Sequence, residues 1–156
     1  MHAGNPSPDV GPLPPVFLLA AIALMVALHF VVPLAHVWAT SWRIVFGGAV
    51  LVVGVVLNLW ADRLFTRAGT AVKPFEPSTA LIESGPFSIT RHPMYLGMTL
   101  ILAGIALALG TLSPWLVVPV FVWQITVRFI GAEERKLEAT FGRSYLEYKR
   151  RVRRWL

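Results

Sequence analysis

The chain has 156 residues, of which 56% are apolar and 14% are charged, whereas an ordinary soluble domain carries about 25% charged residues. This composition excludes a disordered chain, a collagen-like fibre and a soluble protein that binds nucleic acid, and the length allows a single domain. The absence of cysteine from the sequence excludes a disulfide framework, a cysteine nucleophile and a thiolate metal site. The net charge is +6, and in a chain this apolar we expect the basic segments to lie on the cytoplasmic side of a membrane.

Four apolar runs follow a polar segment at 1–15. That segment has none of the basic residues of a secretory signal, so we expect the first run to remain as a helix. A membrane span needs about 20 apolar residues, with roughly 17 as the lower limit. The predicted fold is therefore all-α, a single integral membrane bundle with a loop at 62–92 and a helical tail at 132–156. The four predicted transmembrane helices cover about 16–34, 43–61, 93–111 and 114–131.

The basic residues predict the orientation of these spans. The loop at 62–92 holds four of the fourteen Lys and Arg residues, and the chain from Arg128 onward holds nine. Arg43 alone lies between spans on the other side. Since basic loops stay in the cytoplasm, we expect the loop, the tail and both termini to be cytoplasmic. All polar segments with candidate functional residues then share one side of the membrane.

Polar and small residues within the runs predict how the helices pack. His29 and Asn58 are lone polar residues, and we interpret both as contacts between helices rather than as catalytic groups or ligands. Small residues one turn apart allow close packing of helices. Two such pairs occur in the third run, Gly104 with Ala108 and Ala106 with Gly110.

The tail at 132–156 is predicted to hold two helices. The first ends at Phe141-Gly142, because glycine is the usual residue after a helix C-terminus. The second starts near Ser144 and places large side chains at i, i+3, i+7 and i+10, which is one helical face. The members of that face are Tyr145, Tyr148, Val152 and Trp155. Basic residues cover the rest of the helix and are expected to face lipid headgroups.

The tripeptide Arg91-His92-Pro93 stands at the start of the third run. Proline is favoured at the first position of a helix and pushes the preceding residue to extended geometry. A helix N-terminus has free N–H groups and a partial positive charge. This helix N-terminus, together with Arg91 and His92, predicts an anion site at the membrane surface. The alternative is that the three residues only mark the interface and start a helix.

Two acidic residues, Glu133 and Glu134, follow the fourth run on the otherwise basic side. They are predicted either to balance Arg91 or to bind a cationic or hydroxylated ligand, and the alternative is a solvated helix face. No set of His, Asp and Glu in the sequence has the spacing of a metal site, so no metal is predicted. The glycine-rich motifs of nucleotide-binding folds are absent from the sequence as well.

The stretch 85–97 contains Gly-Pro-Phe, Arg-His-Pro and Met-Tyr-Leu-Gly. It resembles the signature of the isoprenylcysteine carboxyl methyltransferase and phospholipid methyltransferase superfamily. Upstream positions resemble the approach to that signature: Phe65, Gly69, Thr70, Pro74, Pro77 and Leu81. Downstream positions resemble its C-terminal motif: Glu133, Glu134, Leu137, Phe141, Gly142, Tyr145, Tyr148 and Val152. The two blocks cover about 60–153, in this order and separated by a helical hairpin.

The resemblance implies an enzyme of the bacterial inner membrane that transfers a methyl group from S-adenosylmethionine to a lipid or prenylated substrate. The implied acceptor is an isoprenylcysteine-type carboxylate, with a phospholipid amine as the alternative. The implied catalytic residues are Arg91, His92 and Glu134. The residues implied to line or close the cytoplasmic cofactor site are Arg91, His92, Pro93, Tyr95, Leu96, Gly97, Glu133, Glu134, Tyr145 and Tyr148.

Two other classes are weighed against this one. Membrane sterol reductases resemble the C-terminal architecture and use NADPH, but they tend to carry Asn-Tyr-x-Gly-Asp after Arg-His-Pro. The chain has no acid there, since the matching residues are 94–98, Met-Tyr-Leu-Gly-Met. Small multidrug exporters need a carboxylate within a span to couple protons, and none of the four apolar runs contains Asp or Glu.

Overall fold

The computed structural model describes residues 12–37, 42–69 and 79–156. Within these residues the chain is helical and its only β-type pairings are two isolated bridges, which confirms the all-α prediction. The helices are α1 (Pro14–Val31), α2 (Trp42–Arg67), α3 (Pro93–Leu109), α4 (Val117–Ile125), α5 (Gly131–Phe141) and α6 (Arg143–Arg151). Two 3₁₀ turns (Gly85–Ser88 and Ser113–Leu116) and a π turn (Thr126–Ile130) complete the elements.

In the part of the chain that the structure describes, three helical segments are long and apolar enough to cross a membrane: α1, α2 and the continuous rod Ser113–Phe141. The rod joins a 3₁₀ turn, α4, the π turn and α5 without a break, so the fourth predicted span and the first tail helix form one element. The third predicted span corresponds to α3, an apolar helix of 17 residues. Large apolar side chains lie exposed along α1 and α2, as expected for surfaces that face lipid.

Helices α2 and α3 pack backbone against backbone. A Cβ atom on Gly47 would lie 2.6 Å from the Gly104 carbonyl oxygen, and one on Gly54 would lie 2.6 Å from that of Gly97. Glycines seven residues apart on both helices thus let the two helices approach closely. The predicted packing role of Gly104 is confirmed.

The hydrophobic core lies on the other side of α3, where α1 and α4 pack against it. Its fully buried members include Met25, Leu102, Ala106 and Ile125. Ala106 faces this core rather than α2. Gly110 instead ends α3 in the left-handed conformation at φ 78°, and the Arg43 side chain fills the space beside it.

Polar contacts join α1 to the end of α3 at the pole of the bundle that we call the far end. His29 Nδ1 lies 2.8 Å from the Thr111 hydroxyl, so the prediction of an interhelical contact is confirmed. The Leu34 amide donates to the Ser113 hydroxyl at 2.9 Å, and Arg43 donates to the Leu109 carbonyl at 3.3 Å. Asn58, in contrast, donates to the Gly54 carbonyl of its own helix. The prediction of an interhelical hydrogen bond for Asn58 is therefore wrong.

Candidate functional site

The opposite pole of the bundle, at the start of α3, holds the predicted motif. Pro93 takes the first helical position, as the sequence predicts. His92 caps the helix at φ −129° and ψ 60°, so the prediction of extended geometry at this residue is wrong. The His92 amide donates to the Thr90 hydroxyl at 3.3 Å. Both the His92 and the Thr90 side chains are buried, so this turn is held inside the protein.

A buried ionic cluster forms around Glu134. Its Oε1 atom lies 2.9 Å from Arg91 Nη2 and 3.3 Å from His92 Nε2. Arg154 binds both carboxylate oxygens, with Nε 3.0 Å from Oε1 and Nη2 2.6 Å from Oε2. The side chains of Glu134 and Arg91 are 6% and 7% exposed. The anion at the predicted anion site is thus a carboxylate of the protein itself, and the predicted balance between Glu134 and Arg91 is observed.

Arg154 reaches Glu134 because the last helix ends earlier than predicted. Helix α6 stops at Arg151, and Val152 is extended at φ −118° and ψ 130°. Residues 152–156, which we call the C-terminal strap, then run beside the start of α3. The prediction of one helical face through Trp155 is wrong, since Trp155 packs against the bundle core while Tyr145, Tyr148 and Val152 form a separate cluster. The expectation that Arg154 faces lipid headgroups is wrong as well.

Glu133 lies beside the ionic cluster and faces a different space. Its Oε2 atom is 3.8 Å from His92 Nδ1, and its side chain is 27% exposed. The Tyr95 hydroxyl interacts with the same carboxylate, and the Tyr95 ring stacks on His92 with 5.8 Å between the ring centres. His92 therefore stands between two carboxylates, one on each ring nitrogen.

A cavity of about 150 Å³ opens next to Glu133. Its walls come from the start of α1, the end of α2, the first 3₁₀ turn and the first turns of α3. The lining is mostly apolar: Leu13, Pro14, Pro15, Phe65, Phe87, His92, Pro93, Met94, Tyr95, Met98 and Glu133. A small number of polar groups in an apolar concave site is the usual composition of a ligand pocket.

Among the described residues, three buried polar atoms have no hydrogen-bond partner: Arg91 Nε, Glu133 Oε2 and the Tyr145 hydroxyl oxygen. All three belong to residues that the sequence singles out for this site. Buried polar groups are normally paired, so each such atom calls for an explanation. Their concentration at the ionic cluster marks this part of the protein as the candidate site.

The two tail tyrosines lie behind the ionic cluster rather than in the cavity. The Tyr148 hydroxyl donates to the Phe87 carbonyl at 2.8 Å and ties α6 to the first 3₁₀ turn. Burial raises the pKa of Tyr145 to about 12 and also raises the pKa of Tyr148. The hydrogen bond to Glu134 raises the pKa of Arg154 above its ordinary value. Both phenols stay neutral and Arg154 stays charged at any physiological pH.

Two residues of the motif lie away from this cavity. The Leu96 amide donates to the His92 carbonyl at 3.0 Å, as the first hydrogen bond of α3, and its side chain is not among the lining residues. Gly97 faces α2, where a Cβ atom would lie 2.1 Å from Asn58 Nδ2. The structure thus gives Gly97 a packing role, and its place in a cofactor site stays a prediction.

Comparison with known proteins agrees with the motif. The sequence profile of the phospholipid methyltransferase family matches residues 42–144. The protein-S-isoprenylcysteine O-methyltransferase B of Arabidopsis thaliana is 30% identical over 121 residues, which cover 75% of this chain and 58% of the plant protein. The protein-S-isoprenylcysteine O-methyltransferase of Schizosaccharomyces pombe is 31% identical over 72 residues, 46% of this chain and 30% of that protein.

An uncharacterized protein of Haemophilus influenzae is 46% identical over 63 residues, which cover 40% of this chain and all of that protein. No solved structure matches the chain. The chain spans little more than half the length of the plant relative. The family profile nevertheless covers the apolar helix α2, the Arg-His-Pro turn and both acidic residues of the cluster. The chain belongs to the phospholipid methyltransferase family.

Proposed function

We propose that this integral membrane protein transfers the methyl group of S-adenosylmethionine to a lipid-linked acceptor at the start of α3. The observation that carries the proposal is the carboxylate of Glu133, which has a buried oxygen without a hydrogen bond and lines a mostly apolar cavity. Such a site suits a ligand that is cationic and largely apolar around its charge. Family membership supplies the methyltransferase chemistry.

The residues present fit S-adenosylmethionine. Its sulfonium and ammonium groups match the carboxylate of Glu133, the acidic residue in the wall of the cavity. When bound, the cofactor supplies an activated methyl group. The cavity of about 150 Å³ is smaller than ligand pockets of roughly 300–1,000 Å³, so binding requires the walls to move apart. The proposed site comprises His92, Pro93, Tyr95 and Glu133 in the wall of the cavity, with Arg91 and Glu134 in the ionic cluster beside it. Tyr145 and Tyr148 pack behind that cluster.

The protein's main task in such a reaction is alignment, because methyl transfer from sulfonium is an in-line displacement. The apolar walls exclude water from the acceptor. An acceptor carboxylate is already ionised at neutral pH and needs no base. An acceptor amine must lose a proton to a nearby group. Glu134 is saturated by cations, so His92, with Glu133 on its other nitrogen, is the better placed acceptor of that proton.

The acceptor we favour is an isoprenylcysteine-type carboxylate, because two relatives carry that activity in their names. The second candidate is a phospholipid amine, favoured by the family profile and by the proton acceptor at His92. The two products differ chemically. A methyl ester releases methanol in mild base, whereas an N-methyl group does not.

Membranes that contain the protein are expected to transfer label from methyl-labelled S-adenosylmethionine to an extractable lipid or prenylated molecule. Glu133→Gln is expected to lower the rate about tenfold or more, since a charge-assisted hydrogen bond contributes about 1.5–3 kcal/mol. Glu147→Gln is the matched control, because Glu147 pairs with Arg143 on the exposed surface of α6, away from the cavity. Loss of label after mild base identifies a carboxylate acceptor. A wild-type protein that is folded, binds S-adenosylhomocysteine and labels no lipid would refute the proposal.

We also propose that all four apolar helices span the membrane with the site on the cytoplasmic face of a bacterial inner membrane. Helix α3 runs alongside the full apolar part of α2, and its 17 residues meet the lower limit of about 17. Topology reporters fused after Leu156 and within residues 65–80 are then both expected to give a cytoplasmic signal. An external signal from either fusion would contradict the four-span arrangement.

A further inference from the structure

Arg154 is absent from the residues that the motif implies, yet it makes the most extensive contact in the ionic cluster. We propose that Arg154 is a positioning residue, which fixes the plane of the Glu134 carboxylate, and that the C-terminal strap closes the cluster by carrying it there. The effect on catalysis rests on the proposed function. The effect on the cluster itself does not.

The contacts on the two oxygens of Glu134 differ. Oε1 receives Arg91, His92 and Arg154, whereas among the described residues Oε2 is contacted by Arg154 alone. A carboxylate held through one oxygen can rotate about that contact. The planar fork of arginine binds both oxygens and removes this freedom. Arg154 therefore determines the orientation of the carboxylate, while Arg91 and His92 determine where it lies.

The strap is held in place by hydrogen bonds to the turn before α3. The Arg91 amide donates to the Arg153 carbonyl at 3.0 Å, and the Thr90 hydroxyl donates to the Arg154 carbonyl at 3.0 Å. Successive side chains of an extended segment point to opposite sides. Arg153 is accordingly exposed, whereas Val152 and Arg154 both point inward.

The strap thus links the two halves of the family motif. Its backbone is bonded to the segment that carries Arg91, and its Arg154 side chain is bonded to α5 through Glu134. Trp155 packs against the bundle core beyond it. Any displacement of the strap must release the Glu134 carboxylate at the same time, so closure of the strap and orientation of the carboxylate are one event.

The test uses the full chain with three substitutions: Arg154→Ala, Arg154→Lys and, as the matched control, Arg153→Ala at the exposed neighbour. Arg154→Ala is expected to lower methyl transfer by about tenfold or more, with partial recovery on addition of guanidinium ion. Arg154→Lys restores the charge without the fork, so we expect it to recover only a small part of the rate. Arg153→Ala should match wild type. Equal rates for Arg154→Lys and wild type would overturn the orienting role.

A second readout does not depend on methyl transfer. The thermal unfolding midpoints of Arg154→Ala, Glu134→Gln and the double variant form a double-mutant cycle. We expect strong coupling, with the double variant close to Glu134→Gln alone, and no coupling when Arg153→Ala replaces Arg154→Ala. Additive midpoints would overturn the proposed contact. A wild type that transfers no methyl group while the cycle shows coupling would refute the proposed function and leave the positioning of Glu134 intact.

Discussion

Replacing Glu134 with glutamine is expected to abolish turnover and to destabilise the folded protein by about 3–5 kcal/mol, the usual effect of removing one partner from a buried ion pair. The substitution keeps the size of the side chain and removes its charge. Arg91, whose side chain is 7% exposed, then remains buried without a counter-ion. Arg154 is 42% exposed and recovers hydration more easily, so Arg91 is the main source of the loss.

Glu138→Gln is the matched control for this prediction. Glu138 lies one turn later on the same helix and pairs with Lys149 at 3.5 Å on the surface, where an ion pair contributes about 0–1 kcal/mol. Thermal unfolding of both variants in detergent and their methyl-transfer rates provide the comparison. Similar unfolding temperatures for Glu134→Gln and Glu138→Gln would show that the cluster does not support the fold.

Gly54→Ala is expected to destabilise the folded protein by separating α2 from α3. The new Cβ atom would lie 2.6 Å from the Gly97 carbonyl oxygen and 2.9 Å from the Ile101 amide nitrogen. Both are backbone atoms and cannot rotate away, so the helices must move apart along their contact. Overpacking typically costs about 1–3 kcal/mol, and this contact reaches the motif itself through Gly97.

Gly48→Ala offers the control, since a Cβ atom at Gly48 meets nothing within 4 Å. There the substitution gains up to about 1 kcal/mol of helix propensity and is expected to leave stability unchanged or slightly higher. Unfolding temperatures of the two variants, measured under the same detergent conditions, test the contact. If Gly54→Ala unfolds no earlier than Gly48→Ala, backbone contact between α2 and α3 is not what holds them together.

The helices could largely be predicted from the sequence because apolar runs and helix signals are local. Pro93 correctly marks the start of α3 and Gly142 the break between α5 and α6. Asp62 and Arg63 end an apolar run but do not end a helix, so α2 continues to Arg67. The far-end partner of His29 and the glycine contacts of α2 depend on which helices are neighbours, and nothing local in the sequence specifies that.

Part of the candidate site could be predicted because the family motif has two blocks that lie far apart in the sequence. These blocks contain Arg91 and His92 in one and Glu134 in the other. The sequence does not predict the role of Arg154, because four other basic residues directly precede it in 149–153. A run of like charges does not show which basic side chain points into the protein. Gly97 illustrates the opposite difficulty. Residues two apart on a helix do not face the same side. Two residues of one continuous motif therefore have different roles, since Tyr95 lines the cavity and Gly97 contacts α2.

The hydrogen bonds at the far end make the bundle mechanically asymmetric. They fasten α1 through His29 and Leu34, whereas the other end of α1, at Leu13–Pro15, forms one wall of the cavity. Helix α1 is thus a lever arm that is held by hydrogen bonds at one end and by apolar contacts, such as Phe17 against Phe129, at the end beside the cavity. At a rise of 1.5 Å per residue the arm from His29 to Pro14 is about 22 Å long, so a tilt of about 5° moves its tip by about 2 Å. A small rotation is thus enough to widen the cavity by more than the length of a carbon–carbon bond.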